Sequence, residues 1–210
     1  MGRHLDWVRE AVLRFVRENP TKMSSKDKQV ARQRARVVTF GDLSANPKAL
    51  QATDFVDVGP DVYESKFDKY LNAVAVGGRL RVRPQSALEA LSVAIRSDWT
   101  HEGIRQRHVI VMFTDSGAHM LESRVGEVPS AFRDQVPASL DELTDRWDGD
   151  KAGRLKRSAH RLVVFAPDMY PWNVIGDAWG NTVWLPSQAG ASLDEVEFQT
   201  IIESCWLNDL

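Results

Sequence analysis

The sequence predicts an α/β fold with a doubly wound, mainly parallel sheet and helices on both of its faces. Three short, apolar, β-branched runs carry this prediction, at 36–40, 108–113 and 162–166, and a fourth follows at 182–185. Stretches with apolar residues at three- and four-residue spacing, typical of amphipathic helices, separate them. Such alternation indicates a parallel sheet covered on both sides. We therefore expect the first three runs to lie in one sheet.

Pro, Gly and Asn residues set the element boundaries in the first half of the chain. An apolar stripe predicts a helix over 4–18, and Asn19-Pro20 ends it. The β-branched run 36–40 predicts a buried strand that Gly41-Asp42 closes. The remaining elements of this half are a loop over 43–53, an edge strand over 55–58, a helix over 62–74 ended by Gly77-Gly78, and a helix over 85–97 opened by Pro84.

The second half opens with the most apolar strand, 108–113, which we expect to be a central strand covered on both faces. Residues 122–158 are polar and predict an insertion outside the main sheet. Within it, the capping-box pattern at 139–142 predicts a short helix to Trp147. The remaining elements are a strand over 162–166, a short helix over 172–179, a strand over 182–185, and a C-terminal helix from a second capping box at 192.

Length and charge restrict the classes of function. The 210 residues fit a single domain over 1–210, and 27 Lys+Arg against 29 Asp+Glu give a net charge of -2. This balance disfavours a nucleic-acid partner, although a local basic patch at 22–36 stays open. The one cysteine excludes an internal disulfide. No apolar run approaches the roughly 18 residues of a membrane helix, so we expect a cytoplasmic protein without a membrane partner.

Taken together and in order, several of these stretches resemble a von Willebrand factor A-like (vWA) domain of the bacterial intracellular type. The resemblance covers nearly the whole chain, with 122–158 as an insertion. The matching stretches are Val37–Asp42, Gly77-Gly78, Pro84–Leu91, Ala94–Trp99, Arg107–Asp115, Ala118-His119, Leu162–Asp168, Pro171-Trp172 and the terminal helix.

The resemblance implies a ligand site at the carboxyl ends of the strands, in agreement with the general rule for open α/β sheets. In that family a metal-ion-dependent adhesion site holds a divalent cation, usually Mg²⁺, through hard oxygen donors. Those donors are an Asp-x-Ser-x-Ser motif after the first strand, a residue from the loop before a middle helix, and an Asp after the fourth strand. The resemblance carries the last two roles to Gln85 and Ser86, and to Asp115. Asp168 ends the next strand in the same manner.

One part of the family pattern is missing. The chain has no Asp-x-Ser-x-Ser motif, and Met1-Gly2 resembles the point just after it, so we expect the first central strand to be absent. The metal site is then degenerate or incomplete, and with the basic loop 79–83 beside it Mg²⁺ binds weakly at most. The gap left by the strand predicts one of three outcomes: neighbouring strands close it, another chain supplies a strand, or stability is low.

These observations predict a non-catalytic module for protein–protein interaction. The resemblance implies a partner such as an AAA-type ATPase or a larger bacterial assembly. Two alternatives stay open: a hydrolase or phosphatase that uses Asp115, and a metal-dependent vWA adaptor whose full site lies partly upstream of Met1. No GxSxG elbow is present, and Gly117 stands where an Asp-nucleophile hydrolase would carry its second Asp. The sequence therefore predicts no catalytic residue.

Overall fold

The computed structural model describes residues 10, 14, 32–57, 84–103, 106–123, 126–149, 155–156 and 158–186. The chain divides into two compact units, one made of Met1–Val37, Ala52–Leu80 and Ser192–Leu210, the other of Val38–Gln51 and Arg81–Ala191. The helices predicted over 62–74 and from 192, and the basic loop 79–83, lie outside the described residues. So does the helix predicted over 4–18, apart from Glu10 and Arg14, which are helical and exposed.

In the first unit, a short antiparallel pair joins β1 (Arg34–Ala35) to β4 (Val56–Asp57). The Arg32 guanidinium donates to the Asp57 carboxylate at 2.7 Å. This hydrogen bond, more than the other charges nearby, lowers the pKa of Asp57 from its ordinary value. The edge strand predicted over 55–58 is therefore present at Val56–Asp57.

In the second unit, three parallel strands form one sheet in the order β5-β6-β7. They are β5 (His108–Phe113), β6 (His160–Ala166) and β7 (Thr182–Pro186). The register pairs Ile110 with Leu162, and Leu162 with Thr182. Three of the predicted strands are confirmed, and with the helices beside them they give an α/β architecture.

Among the described residues of the second unit, three α-helices accompany this sheet: α1 (Ala87–Ile95), α2 (Leu140–Trp147) and α3 (Trp172–Ala178). Each lies where the sequence predicts a helix. The Ser139 side chain caps α2, because the Glu142 N–H donates to Ser139 Oγ at 3.1 Å. The Glu142 carboxylate in turn accepts from the Ala138 N–H at 2.9 Å. Two 3₁₀ helices, Leu121–Ser123 and Ser130–Gln135, precede α2.

The core lies on the sheet face formed by the even-numbered residues of β5 and β6, against all three helices. All seven residues of β6 are buried, and because successive side chains point to opposite faces, both faces of β6 are covered. β5 instead alternates between buried and half-buried residues, so the full coverage predicted for 108–113 is found at β6. The described residues of the insertion, 122–123, 126–149, 155–156 and 158, add no strand to this sheet, yet Leu143 and Trp147 within it are fully buried.

The prediction that a strand over 36–40 belongs to the main sheet is wrong. Only Val38–Thr39 form a strand, β2, which pairs with β3 (Gln51–Ala52) in a separate two-stranded sheet. β2 is half-buried rather than buried. Pairing β2 with a strand about a dozen residues away closes a much shorter loop than pairing it with the strand at 108–113. The chain therefore loses less entropy when the nearer pair forms. Phe40 still packs against the core.

The named α-helices of the described ranges are seven to nine residues long. None of those helices has both the length and the apolar character needed to cross a bilayer.

Candidate functional site

The carboxyl ends of β5 and β6 lead into two loops, 114–120 and 167–171, and the segment before α1 joins the first of them. The Gln85 N–H donates to the Gly117 carbonyl at 3.1 Å, and the Gln85 carbonyl accepts from the His119 N–H at 3.0 Å. These bonds form a parallel bridge between Gln85 and Ala118. The structure thus brings together the segments that carry Gln85, Ser86 and Asp115, the three predicted metal ligands.

Asp115 lies in a turn that neighbouring side chains hold in place. The Ser116 N–H donates to Thr114 Oγ1 at 3.3 Å, and the Trp172 indole N–H donates to the Ser116 carbonyl at 2.9 Å. Asp115 itself is half-buried. Within the described part of the chain, its carboxylate makes no hydrogen bond or ion pair. The turn is therefore fixed by its neighbours, and Asp115 has no structural role that these contacts show.

Ser86 and Gln85 are more deeply buried than Asp115. Ser86 is fully buried, its Oγ accepts from the Leu43 N–H at 3.2 Å, and its own N–H donates to the Gly41 carbonyl at 2.9 Å. Gln85 is 7% exposed, and both of its backbone polar groups are bonded to the loop after β5. Ser86 therefore links the turn after β2 to the start of α1.

The donor set on these segments contains a single predicted carboxylate, Asp115. Over the ranges that the structure describes, no group of three or more His, Cys, Asp or Glu side chains is placed to hold a metal ion. Mg²⁺ prefers several oxygen ligands in near-octahedral geometry. The ligand roles of Gln85, Ser86 and Asp115 stay a prediction. Asp168, which follows β6, is exposed.

Sequence reasoning missed a contact between Asp42 and His119. The Asp42 Oδ1 lies 3.4 Å from His119 Nε2, and each side chain is about a quarter exposed. The same Oδ1 accepts from the Ser44 N–H at 3.0 Å. The two residues are 77 positions apart in the sequence, so only the fold brings them together. The contact joins the turn after β2 to the loop after β5.

Large apolar side chains are exposed at this end of the sheet. Among the described residues, those that stand out are Met120 (52% exposed), Met169 (41%), Tyr170 (44%) and Val174 (44%). Three of them fall within six consecutive residues, from the loop after β6 into the first turn of α3. We call Met169, Tyr170 and Val174 the apolar patch. Apolar side chains scattered singly over a surface are ordinary, but a group of them marks a contact surface.

The loop after β5 lies against this patch. A Cβ added to Gly117 would lie 3.1 Å from Met169 Sδ and 3.4 Å from the Tyr170 carbonyl oxygen. Gly117 therefore permits a close approach between the two loops, which a larger residue would separate. The absence of a side chain at this position is a signal that sequence reasoning left unused.

Acidic residues occur on the segments that lie next to the apolar patch. Partial burial, assisted by the negative charges of Glu122 and Asp141, raises the pKa of Tyr170 above its ordinary value, so both carboxylates act on the tyrosine. Asp115 and Asp168 occupy the loops after β5 and β6, and segments 114–123 and 167–174 contain neither Lys nor Arg. We call these four acidic residues the acidic rim.

Comparison of the chain with protein-family models, with curated proteins and with solved structures gives no match.

Proposed function

We propose that this chain is a cytoplasmic, non-catalytic module that binds another protein at the carboxyl ends of β5 and β6. The observation that carries the proposal is the apolar patch of Met169, Tyr170 and Val174 at that edge. In open α/β sheets this edge is the usual position of a ligand site. The Gln85 backbone and the Trp172 indole N–H are both hydrogen-bonded to the loop after β5, and a preorganised loop loses less entropy on binding.

The proposal includes a metal-ion-dependent adhesion site that is degenerate. The hydroxyl of Ser86 already accepts a hydrogen bond from the Leu43 N–H, and Ser86 is fully buried. Asp115 is then the main hard donor left among the predicted ligands, and a lone carboxylate holds hydrated Mg²⁺ weakly. Partner binding in this proposal depends on protein side chains and needs no bridging cation.

The vWA relationship is proposed for the segment 84–186 alone. The described residues of this segment have the expected order of helix, strand, helix, strand, helix and strand, and these three strands are parallel. The pairing of β2 outside that sheet removes Val37–Asp42 from the resemblance. The resemblance continues to suggest a partner such as an AAA-type ATPase or a larger assembly.

Site-specific photo-crosslinking in the cells that produce the protein tests this function. A photoreactive phenylalanine analogue replaces Tyr170 in the patch, and a second variant carries it at the exposed Arg133 as a control. We expect protein adducts at position 170 that are absent at position 133 and that diminish when Met169→Asp is added. Equal labelling at both positions would refute a binding surface at this edge.

A screen for hydrolase and phosphatase turnover tests the non-catalytic part of the proposal. We expect the parent protein to show no more turnover than the Asp115→Asn variant. Turnover that Asp115→Asn abolishes would establish the enzyme alternative and overturn the proposal.

A further inference from the structure

We infer that the element docking on this edge is a short cationic peptide segment, with a large apolar side chain between Lys or Arg residues. The inference rests on the proposed function and names the class of partner. Its two components are the apolar patch of Met169, Tyr170 and Val174, and the acidic rim of Asp115, Glu122, Asp141 and Asp168.

The apolar patch sets the centre of the contact. Tyr170 offers a rigid ring with a hydroxyl, and Met169 offers a flexible, polarisable side chain that adapts to different apolar partners. Val174 extends the patch into the first turn of α3, next to the fully buried Trp172. An apolar side chain from a partner would remove all three from water, and such central anchors carry most of the affinity in protein interfaces.

The acidic rim sets the charge of the partner. Its residues come from four separate segments: the loop after β5, the 3₁₀ helix at Leu121–Ser123, helix α2, and the loop after β6. The Glu122 carboxylate accepts from the Leu140 N–H at 3.4 Å, so it also joins two of these segments. Lys or Arg residues beside the apolar anchor would meet opposite charge on several sides, which accelerates association and selects the partner.

The same charges disfavour two other occupants. A second copy of the chain in a two-fold contact would place each acidic rim against its counterpart, so like charges would meet. An anionic lipid surface would likewise face the exposed carboxylates of Glu122, Asp141 and Asp168. A cationic segment of another protein satisfies both the apolar and the acidic features.

Three labelled peptides test the inference with the full chain. The first has a Leu-Phe-Leu core between lysine pairs, the second has the same core between glutamate pairs, and the third has lysine pairs around a Ser-Gly-Ser core. Fluorescence anisotropy measures their dissociation constants at about 50 mM and about 300 mM salt, where screening differs strongly. We expect the first peptide to bind at least tenfold more tightly than either of the others, with weaker binding at high salt.

Matched variants locate the binding. Asp168→Asn removes one charge of the acidic rim, and Asp134→Asn removes an exposed charge from the 3₁₀ helix Ser130–Gln135. We expect Asp168→Asn to weaken the lysine-flanked peptide severalfold, Tyr170→Ala to weaken it about tenfold, and Asp134→Asn to leave it unchanged. Circular dichroism and thermal unfolding show that each variant remains folded.

Several outcomes would overturn the inference. They are equal binding of the lysine- and glutamate-flanked peptides, no binding of any peptide, equal effects of Asp168→Asn and Asp134→Asn, and preferential binding to phosphatidylserine vesicles. If these occur while position 170 still crosslinks to a protein, the proposed function survives and only the partner class is wrong. If position 170 forms no adduct, the proposed function itself fails.

Discussion

Replacing Ser86 by Ala tests whether this hydroxyl belongs to the structure or to a ligand site. Its Oγ accepts from the Leu43 N–H at 3.2 Å, and Leu43 is only 2% exposed. Ala would leave that N–H buried without its acceptor, which costs about 1–3 kcal/mol. Ser86 precedes α1 but makes no capping bond with its side chain, so the loss comes from the Leu43 contact. For a chain of this length each kcal/mol lowers the melting temperature by about 2–4 °C.

Thermal and urea unfolding of the parent and the variant measure this loss. Ser130→Ala is the matched control, because Ser130 is exposed and its change should stay within about 0.5 kcal/mol. If Ser86→Ala and Ser130→Ala are equally stable, the Ser86 hydroxyl does not stabilise the fold through the Leu43 N–H. The hydroxyl would then be available to a cation, and the case for a degenerate metal site would lose its main support.

Three further changes probe the packing that supports the site. Gly176→Ala should lower the free energy of unfolding, measured in urea, by about 1 kcal/mol. The new Cβ would lie 2.7 Å from Trp184 Cβ, and this crowding outweighs the stability that Ala usually adds to a helix relative to Gly. At Gly180, where nothing lies within 4 Å, the same change should be neutral, and equal effects would contradict the close contact. Ser139→Ala should lose the cap of α2 and about 1 kcal/mol; a neutral result in thermal unfolding would contradict that capping bond. Burial lowers the pKa of His108 from 6.5, so the unfolded chain takes up this proton first as the pH falls. The stability contributed by the neutral imidazole is therefore complete above about pH 6.5 and is lost as the pH falls through the lowered folded-state pKa. His108→Phe should flatten this part of the stability–pH profile, and an unchanged profile would contradict the assignment.

The elements of the second unit were predictable because their signals are local. β5 and β6 are apolar runs bounded by polar residues, and α2 begins at Ser139, the cap that the sequence pattern predicts. Membership of a sheet is not local. The run 36–40 has the composition of a buried strand, yet Val38–Thr39 pair with the nearby Gln51–Ala52. Composition alone does not distinguish a distant partner from a near one.

The candidate site was predictable in position but not in composition. The rule that ligands bind at the carboxyl ends of parallel strands located the loops after β5 and β6. The role of Ser86 in holding Leu43 depends on a contact across 43 residues, and the pair of Asp42 and His119 spans still more of the sequence. The apolar patch could not be predicted either, because a sequence does not show which apolar residues are exposed and which are buried. Trp172 is fully buried, whereas Val174, two residues later, is exposed.

The central claim is that this edge binds a protein segment through its own side chains and without a cation. Amide chemical-shift mapping of the full chain with the lysine-flanked peptide, first in EDTA and then with excess Mg²⁺, tests it most directly. We predict shifts confined to 115–122, the α2 amides near Asp141, and 168–174, with the same affinity in both conditions. Shifts centred elsewhere, or binding that requires Mg²⁺ and disappears in Asp115→Ala, would contradict it.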